Sequence, residues 1–383
     1  MSLIQTVRST GNILQAKRVI DIANKIDVLE PDSAPLVQLT KKLAKRVAIN
    51  PKYNWLEEEA IPAVDQVNYS TGYTSTDTQM VVDHGTYFRT GDVVKHVDSG
   101  EQWLVTGVSS NTLTVSRAWG STTAHATVAN NDYLLIVGNA NQEGNTARAL
   151  LTNQETEKTN YTQIFRRPFG VTETAKNSEM YGGSDLAHVR MMQLIEHQKD
   201  IERAFWFGEP KEDTSTYTHY TRATGGVDYF ISTNSSDAGG TLTESEFEAW
   251  LRTGFRYGSS TKFVFAAPIV ISAVSSWANG KLHMLPTDKT YGIAVTQYLS
   301  PHGVVNLVNT KLFGEVAPYS GYAYLIDIEG VGYRYIADRD TKLKTNIQAN
   351  DEDAEKDEYL SEIGFELKNE KKDSLLYGVT SFS

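Results

Sequence analysis

The pattern of this chain predicts an α+β fold, on three observations. Residues 184–207 carry one long amphipathic helical repeat. Residues 85–137 hold short β-forming runs parted by turn residues. Residues 241–336 alternate helical and strand patterns, the sign of a mixed lobe. Tyrosine (20) outnumbers phenylalanine (13) and glycine is plentiful (28), which suits strands, turns and edge contacts.

Residues 1–24 offer few strong apolar contacts and read as an arm whose order depends on neighbours. Residues 31–50 read as a short helix, with Ser33 as N-cap and Pro35 in the first turn. Leu36, Leu39 and Leu43 space one apolar face. Lys41, Lys42, Lys45 and Arg46 lie toward its C-terminal end, where the helix dipole favours cations. They read first as a solvated face, with an inward basic patch as the alternative.

Residues 51–83 are extended and polar, interrupted by Pro51, Pro62 and Gly72. The β block follows as GDVVKHV, EQWLVTGV, NTLTVSRAW and NDYLLIVG, with Ser109, Ser110 and Asn111 as a hairpin loop. Closely spaced strands of this kind suit a small barrel or sandwich. The block reads as an insertion, with segments 61–80 and 140–165 pairing across its base.

Gly182 and Gly183 precede the long helix, Ser184 or Asp185 caps it, and Gly208 and Pro210 stop it. Ala187, Met191, Leu194, Ile201 and Phe205 form its apolar stripe, broadened by Val189, Met192 and Ile195. The two methionines read as core filler. The other face carries Arg190, Glu196, Lys199, Asp200 and Arg203. At the α-helical rise the element is roughly 30–35 Å long.

Residues 209–241 read as a long loop or hairpin. Thr243 to Glu246 form a capping box that opens a helix with Phe247, Trp250 and Leu251 inward. KFVFA (262–266) is a buried strand. Pro268 starts a second helix, through Ile269, Val274 and Trp277, that Asn279 and Gly280 end. GVVNLV, YAYLIDI and VGYRYI are strands, and residues 337–383 hold an acidic loop and a final strand pair, YLSEIGFEL and SLLYGVTSF.

Composition narrows function. A 383-residue chain with 40% hydrophobic and 22% charged residues is ordinary for a folded protein of two or three lobes. No apolar run approaches bilayer-spanning length, and the first residues lack a signal-peptide core. The absence of cysteine excludes disulfides and thiolate chemistry and fits a reducing cytosol. A net charge of −11 argues against a dedicated nucleic-acid binder, though not against a locally basic surface.

Catalytic patterns dissolve under inspection. Asp351, Asp353, Glu355, Asp357 and Glu362 fall near EF-hand spacing, but Lys356 stands where the turn needs glycine, so they read as a solvated acidic loop. The eight histidines do not pair at ligand spacing, and His188 and His197 read as packing or surface residues. Glu57, Glu58 and Glu59 are adjacent in an extended segment, alternate faces, and cannot flank one glycosidic bond. No phosphate loop, dinucleotide fingerprint or nucleophile elbow is present. No catalytic residue, cofactor or metal is expected.

Two segments carry a resemblance. One is KIDVLEPDSAPLVQLTKKLAKRVAINPKYNWLEEEAI (25–61); the other joins YTQIFRRPFGVTETAKN to a helix ending DIERAFWFG (161–208). In this order they resemble the major capsid proteins of tailed bacteriophages with the Hong Kong 97 (Johnson) fold. The likeness spans most of the chain, by architecture more than by motif over 241–336.

The resemblance implies an N-terminal arm (1–50) and an E-loop (51–160) with an inserted β domain at about 85–137. It further implies a peripheral domain (161–240) with spine helix 184–207, an axial domain (241–336) and a return to the peripheral domain (337–383). It implies self-assembly into pentamers and hexamers of an icosahedral head enclosing double-stranded DNA, assembled in the host cytoplasm. Portal, scaffolding and decoration proteins would be partners, with no membrane. The arm stands almost at the start, so a scaffold would be separate or already removed, and no Lys–Asn cross-link is marked. Trp55, Glu57, Glu58 and Arg89 are expected as E-loop contacts. Arg166, Arg167, Arg190, Lys199 and Arg203 are expected in ion pairs between subunits. The alternatives are another virion part (tail, adhesion or carbohydrate-binding) and an encapsulin-like shell.

Overall fold

The computed structural model describes residues 34–43, 45–144, 146–178, 185–277, 282–284, 295–315 and 317–382. They form two units: one takes the chain up to Trp55 and again from Lys158, the other runs from Leu56 to Glu157. The chain passes between them along a two-stranded ribbon, Lys52–Glu57 with Thr156–Tyr161.

The longest strand, Ala354–Leu367, organises the first unit. It pairs with Gln163–Thr172 on one side and with Val331–Ile336 and Lys342–Lys344 on the other, all antiparallel. Lys45–Ala48 closes the sheet parallel to Val331–Ile336. Alternate side chains of a strand face opposite ways. Ile363, Phe365 and Leu367 enter one core with Phe165, Ile201, Phe205, Trp206 and Tyr333. The long helix, Asp185–Phe207, supplies Ile201, Phe205 and Trp206 to it. Gly208 ends this helix where a Cβ would fall 2.3 Å from the Thr224 carbonyl oxygen.

A second, seven-stranded sheet runs in the order Ser235–Leu242, Ser374–Phe382, Ala323–Ile326, Thr261–Ala266, Gly303–Asn309, Val295–Ser300, Leu282–Met284. Helices Glu244–Gly254 and Pro268–Ser276 bury Phe247, Trp250, Leu251, Val270 and Val274 against it. The Thr243 hydroxyl accepts the Glu246 N–H (3.3 Å) and Glu246 accepts the Thr243 N–H (2.9 Å), completing the capping box.

The second unit is a six-stranded antiparallel sheet ordered Val64–Gln66, Tyr133–Asn139, Asp92–His96, Gln102–Ser109, Thr112–Ser116, Gln79–Val81. Trp103, Met80, Val94, Leu113 and Leu134 fill its core. Glu101 is buried there and accepts from Arg117 (2.8 and 2.7 Å), Ala118 N–H and His125 N–H. Burial pushes its carboxyl up, but these hydrogen bonds outweigh it and hold the group down at about 2.

Several expectations need correction. The first helix is shorter than 31–50: it spans Pro35–Leu43, and Lys45–Ala48 becomes a strand because Val331–Ile336 offers it a partner. Ser33 lies outside the described residues, as do most of the arm, Gly182, Gly183, Ser184, Asn279 and Gly280. Lys41 and Lys45 are not simply solvated: Lys41 donates to the Thr341 hydroxyl (3.0 Å) and Lys45 pairs with Asp340. Segments 61–80 and 140–165 do not pair with each other as read. Val64–Gln66 and Gln79–Val81 are strands of the β unit itself, too short and polar to stand out. The stripe of the long helix is rotated. Met191 is 48% exposed and Ala187 exposed, while Leu186, His197 and Glu202 are buried. The final two strands join different sheets rather than each other.

Glu202 explains part of that rotation. Its carboxylate accepts the N–H groups of Leu36 (3.0 Å) and Val37 (2.8 Å), and the Trp206 indole N–H (2.8 Å). A side chain of the long helix thus caps the first helix, whose Leu36 and Val37 are buried. Burying two such residues contributes about 1.5–3 kcal/mol each.

Burial raises the Glu202 carboxyl to about 7, against hydrogen bonds that lower it. A raised carboxyl binds its proton more tightly in the folded chain, so this group's contribution to stability is greatest at low pH. It is lost as pH rises from the ordinary glutamate range through about 7. Glu202→Gln removes this titration while keeping an acceptor. Relative to the parent, the variant's unfolding free energy should rise by on the order of 3 kcal/mol between pH 4.5 and 8. Denaturant unfolding at both pH values measures this, and a pH-independent difference contradicts the assignment.

Candidate inter-subunit contact surface

Adjacent residues of a strand point to opposite faces, and Arg166 and Arg167 do so on Gln163–Thr172. Arg166 pairs bidentately with Glu358 on the central strand; its Nη2 lies 2.9 Å from Oε2. Arg167 turns to the long helix, donating to Asp200 (2.8 Å) and Gln193 (2.8 Å), with Glu196 at 3.6 Å. Arg190, one turn further back on that helix, donates to Asp357 (2.7 Å) and Glu355 (3.0 Å). Arg203 pairs with Asp200 (2.7 Å) and Lys199 lies 3.7 Å from Glu196.

The carboxylates follow the strand's two-residue period. Glu355 and Asp357 share the face of Tyr359, Ser361 and Ile363 and meet the long helix, where the His197 ring contacts the Ser361 hydroxyl at 2.7 Å. Burial holds that imidazole down at about 4, so it is neutral. Glu358, Glu362 and Glu366 occupy the opposite face and pair with Arg166, Arg339 and Arg334. The hydrogen bond from Arg166 keeps the Glu358 carboxyl below its ordinary range. Of the five acids read as a solvated loop, Asp357 and Glu362 are buried on a strand, as is Glu358 between them. The missed signal was the period-2 pattern of EYLSEIGFEL continuing upstream through the acids, with arginines elsewhere in the chain to meet them.

The remaining expected contacts sit near the ribbon and in the second unit. Trp55 is not an exposed contact: it is 6% exposed and packs edge-on against Phe230, with ring centroids 5.6 Å apart. Glu57 is half-buried and Glu58 exposed, in an extended run with Leu56 at 68% exposure. Arg89 donates to the Ala149 carbonyl (3.3 Å). Among the described residues His96, Asp98 and Asp132 bring possible metal-ligand atoms within 4.8 Å of one another. The two ring nitrogens of His96 already contact Ser99 (2.6 Å) and Asp132 (3.0 Å), which accounts for its burial without an ion.

A family model described as SU10 major capsid protein matches residues 4–380. The major capsid protein of Pseudomonas phage PaMx41 is 23% identical over 334 residues, covering 84% of this chain and 79% of that protein. Among solved structures, the capsid of a native GTA particle aligns with 98% of this chain and all (100%) of its own, at 9% identity and a TM-score of 0.52. The capsid of Myoviridae phage XM1 covers 96% of this chain and 100% of its own, at 11% identity and a TM-score of 0.48. The first of these structural likenesses shows a shared fold.

The ion pairs separate into two energetic classes. Asp357 is fully buried, so Arg190→Ala strands a carboxylate away from water and should cost about 2–3 kcal/mol in denaturant unfolding. Arg203 and Asp200 are solvent-facing, and Arg203→Ala should cost less than about 0.5 kcal/mol. Equal losses for the two variants would contradict the distinction.

Proposed function

Because the chain belongs to the SU10 major capsid protein family, whose model spans residues 4–380, we propose that it assembles into pentamers and hexamers of an icosahedral phage head. It is a phage major capsid protein, a structural protein of the virion and not an enzyme. Its mixed α/β fold is similar to that of Hong Kong 97-like capsids. The whole-length family match carries the reading.

In the proposed assembly, 1–50 is the arm and 51–160 the E-loop, with the β unit as its insertion. The peripheral domain takes 161–240 with 337–383, and the axial domain takes 241–336. Two strands cross that boundary: Val331–Ile336 lies in the sheet of the long strand, and Ser374–Phe382 in the seven-stranded sheet. Leu56 (68% exposed) and Leu150 (94% exposed) favour the E-loop reading, since large apolar side chains gain from a neighbour's cover. Head-to-tail contacts around a closed ring would supply it.

Glu57, Glu58 and Arg89 are proposed as E-loop contacts, with Trp55 anchoring the strand beneath them. Arg166, Arg167, Arg190, Lys199 and Arg203 are proposed to extend their pairs to a neighbouring copy. Arg166 (61% exposed) and Arg203 (46% exposed) have the most guanidinium surface left for this. The head encloses double-stranded DNA without sequence preference, assembles in the host cytoplasm, and engages portal, scaffolding and decoration proteins.

Negative-stain electron microscopy of the protein, expressed alone and with its neighbouring genes, tests this reading. Closed, uniform shells are expected; a monodisperse monomer or small oligomer under both conditions would overturn it. Glu58→Lys and Arg203→Glu should each leave folded, soluble protomer while blocking shell formation. Normal shells from both variants would refute the contact map.

A further inference from the structure

An open cleft of about 470 Å³ lies on the β unit, between Thr90, Gly91 and Leu104–Thr106 on one side and residues 140–142 and 146–149 on the other. Its walls are tied by backbone bonds: Gly91 N–H donates to the Val105 carbonyl (2.8 Å), and Ala140 N–H to the Gly91 carbonyl (2.8 Å). The cleft therefore exists before any ligand arrives.

Its lining mixes one aromatic plane with neutral polar groups. Trp119 lines it and is 39% exposed, an unusual place for an indole in a chain that buries Trp103, Trp206 and Trp250. Asn141, Gln142 and Thr106 add amides and a hydroxyl, and Leu104 adds aliphatic surface. The Gln142 side chain is exposed and makes no hydrogen bond to the described residues. Arg148 also lines the cleft, its guanidinium held by an ion pair with the buried Asp92.

That chemistry discriminates among ligand classes. The one cation in the lining, Arg148, is already matched by Asp92, and the neighbouring Arg89 is turned to the Ala149 carbonyl, so the lining presents no unpaired charge to a phosphate or carboxylate. Beyond Trp119 and Leu104 the apolar lining is the buried Val105 and three alanines, in an open cleft that does not enclose a lipid chain. A pyranose ring matches both halves of the lining. Its C–H-rich face packs on an indole plane, and its hydroxyls exchange hydrogen bonds with amides, which can both donate and accept. The volume lies within the roughly 300–1,000 Å³ usual for small-ligand sites. An open rim lets a chain of sugars run past.

We propose that this cleft binds a neutral saccharide unit of a polysaccharide, with Trp119 as the stacking platform and Gln142 as a hydrogen-bonding partner. The inference stands on the cleft alone and does not depend on the capsid reading.

The test titrates the full-length chain, in whatever assembly it adopts, with maltohexaose, chitohexaose, dextran and mannan. Binding is read by calorimetry. Saturable binding of at least one probe is expected. Trp119→Ala should weaken it by about tenfold or more, and Gln142→Ala by about threefold or more, with particle morphology unchanged. Both side chains are exposed, so the fold has little reason to fail. No saturable binding of any of the four probes would overturn the proposal. So would binding that both variants leave within about twofold of the parent. Shells that form normally but bind no sugar would sink the cleft assignment and leave the capsid reading intact.

Discussion

The first unit depends on a single strand that carries charge into its interior. Ala354–Leu367 buries Asp357, Glu358, Glu362 and Glu366, and each is met by an arginine from another element. Buried carboxylates are tolerable only when paired and hydrogen-bonded. The strand therefore cannot form its native sheet until Gln163–Thr172, Val331–Ile336 and the long helix deliver Arg166, Arg334 and Arg190. On its other face Ile363, Phe365 and Leu367 join the helix core. In its downstream half, one element thus couples a charged face to an apolar one.

The same logic ties the first helix to the long one. Glu202 reaches from Asp185–Phe207 to the free N–H groups of Leu36 and Val37 across a separation of 166 and 165 residues. A cap taken from tertiary structure makes the start of the described chain part of the core. Leu56, Glu58 and Leu150 are exposed, and they belong to the surface proposed to meet neighbours.

What was legible in the sequence was mostly local. The capping box at Thr243, Pro268 at a helix start, Gly208 at a helix end and the four clear strands of the β unit are all encoded within a few residues. The capsid family was legible through two longer segments. What escaped depends on distant partners. The acidic start of strand 354–367 reads locally as a solvated loop because its arginines lie as much as 192 residues away, as Arg166 does from Glu358. The stripe of the long helix was misplaced because hydrophobic spacing credits Met191 and ignores Glu202 and His197, polar residues buried with partners. Trp55 appeared available to a neighbour because nothing nearby in the sequence announces Phe230.

Amide hydrogen exchange, compared between free protomer and assembled shell, tests this division of labour most directly. If the ion-paired strand is complete within the protomer, amides of 354–367 and 193–206 should be strongly protected in both states. Protection gained on assembly should concentrate in 56–61 and 146–155. Rapid exchange of 354–367 in the protomer, with protection appearing only in the shell, would contradict the claim that its arginines are supplied within one chain.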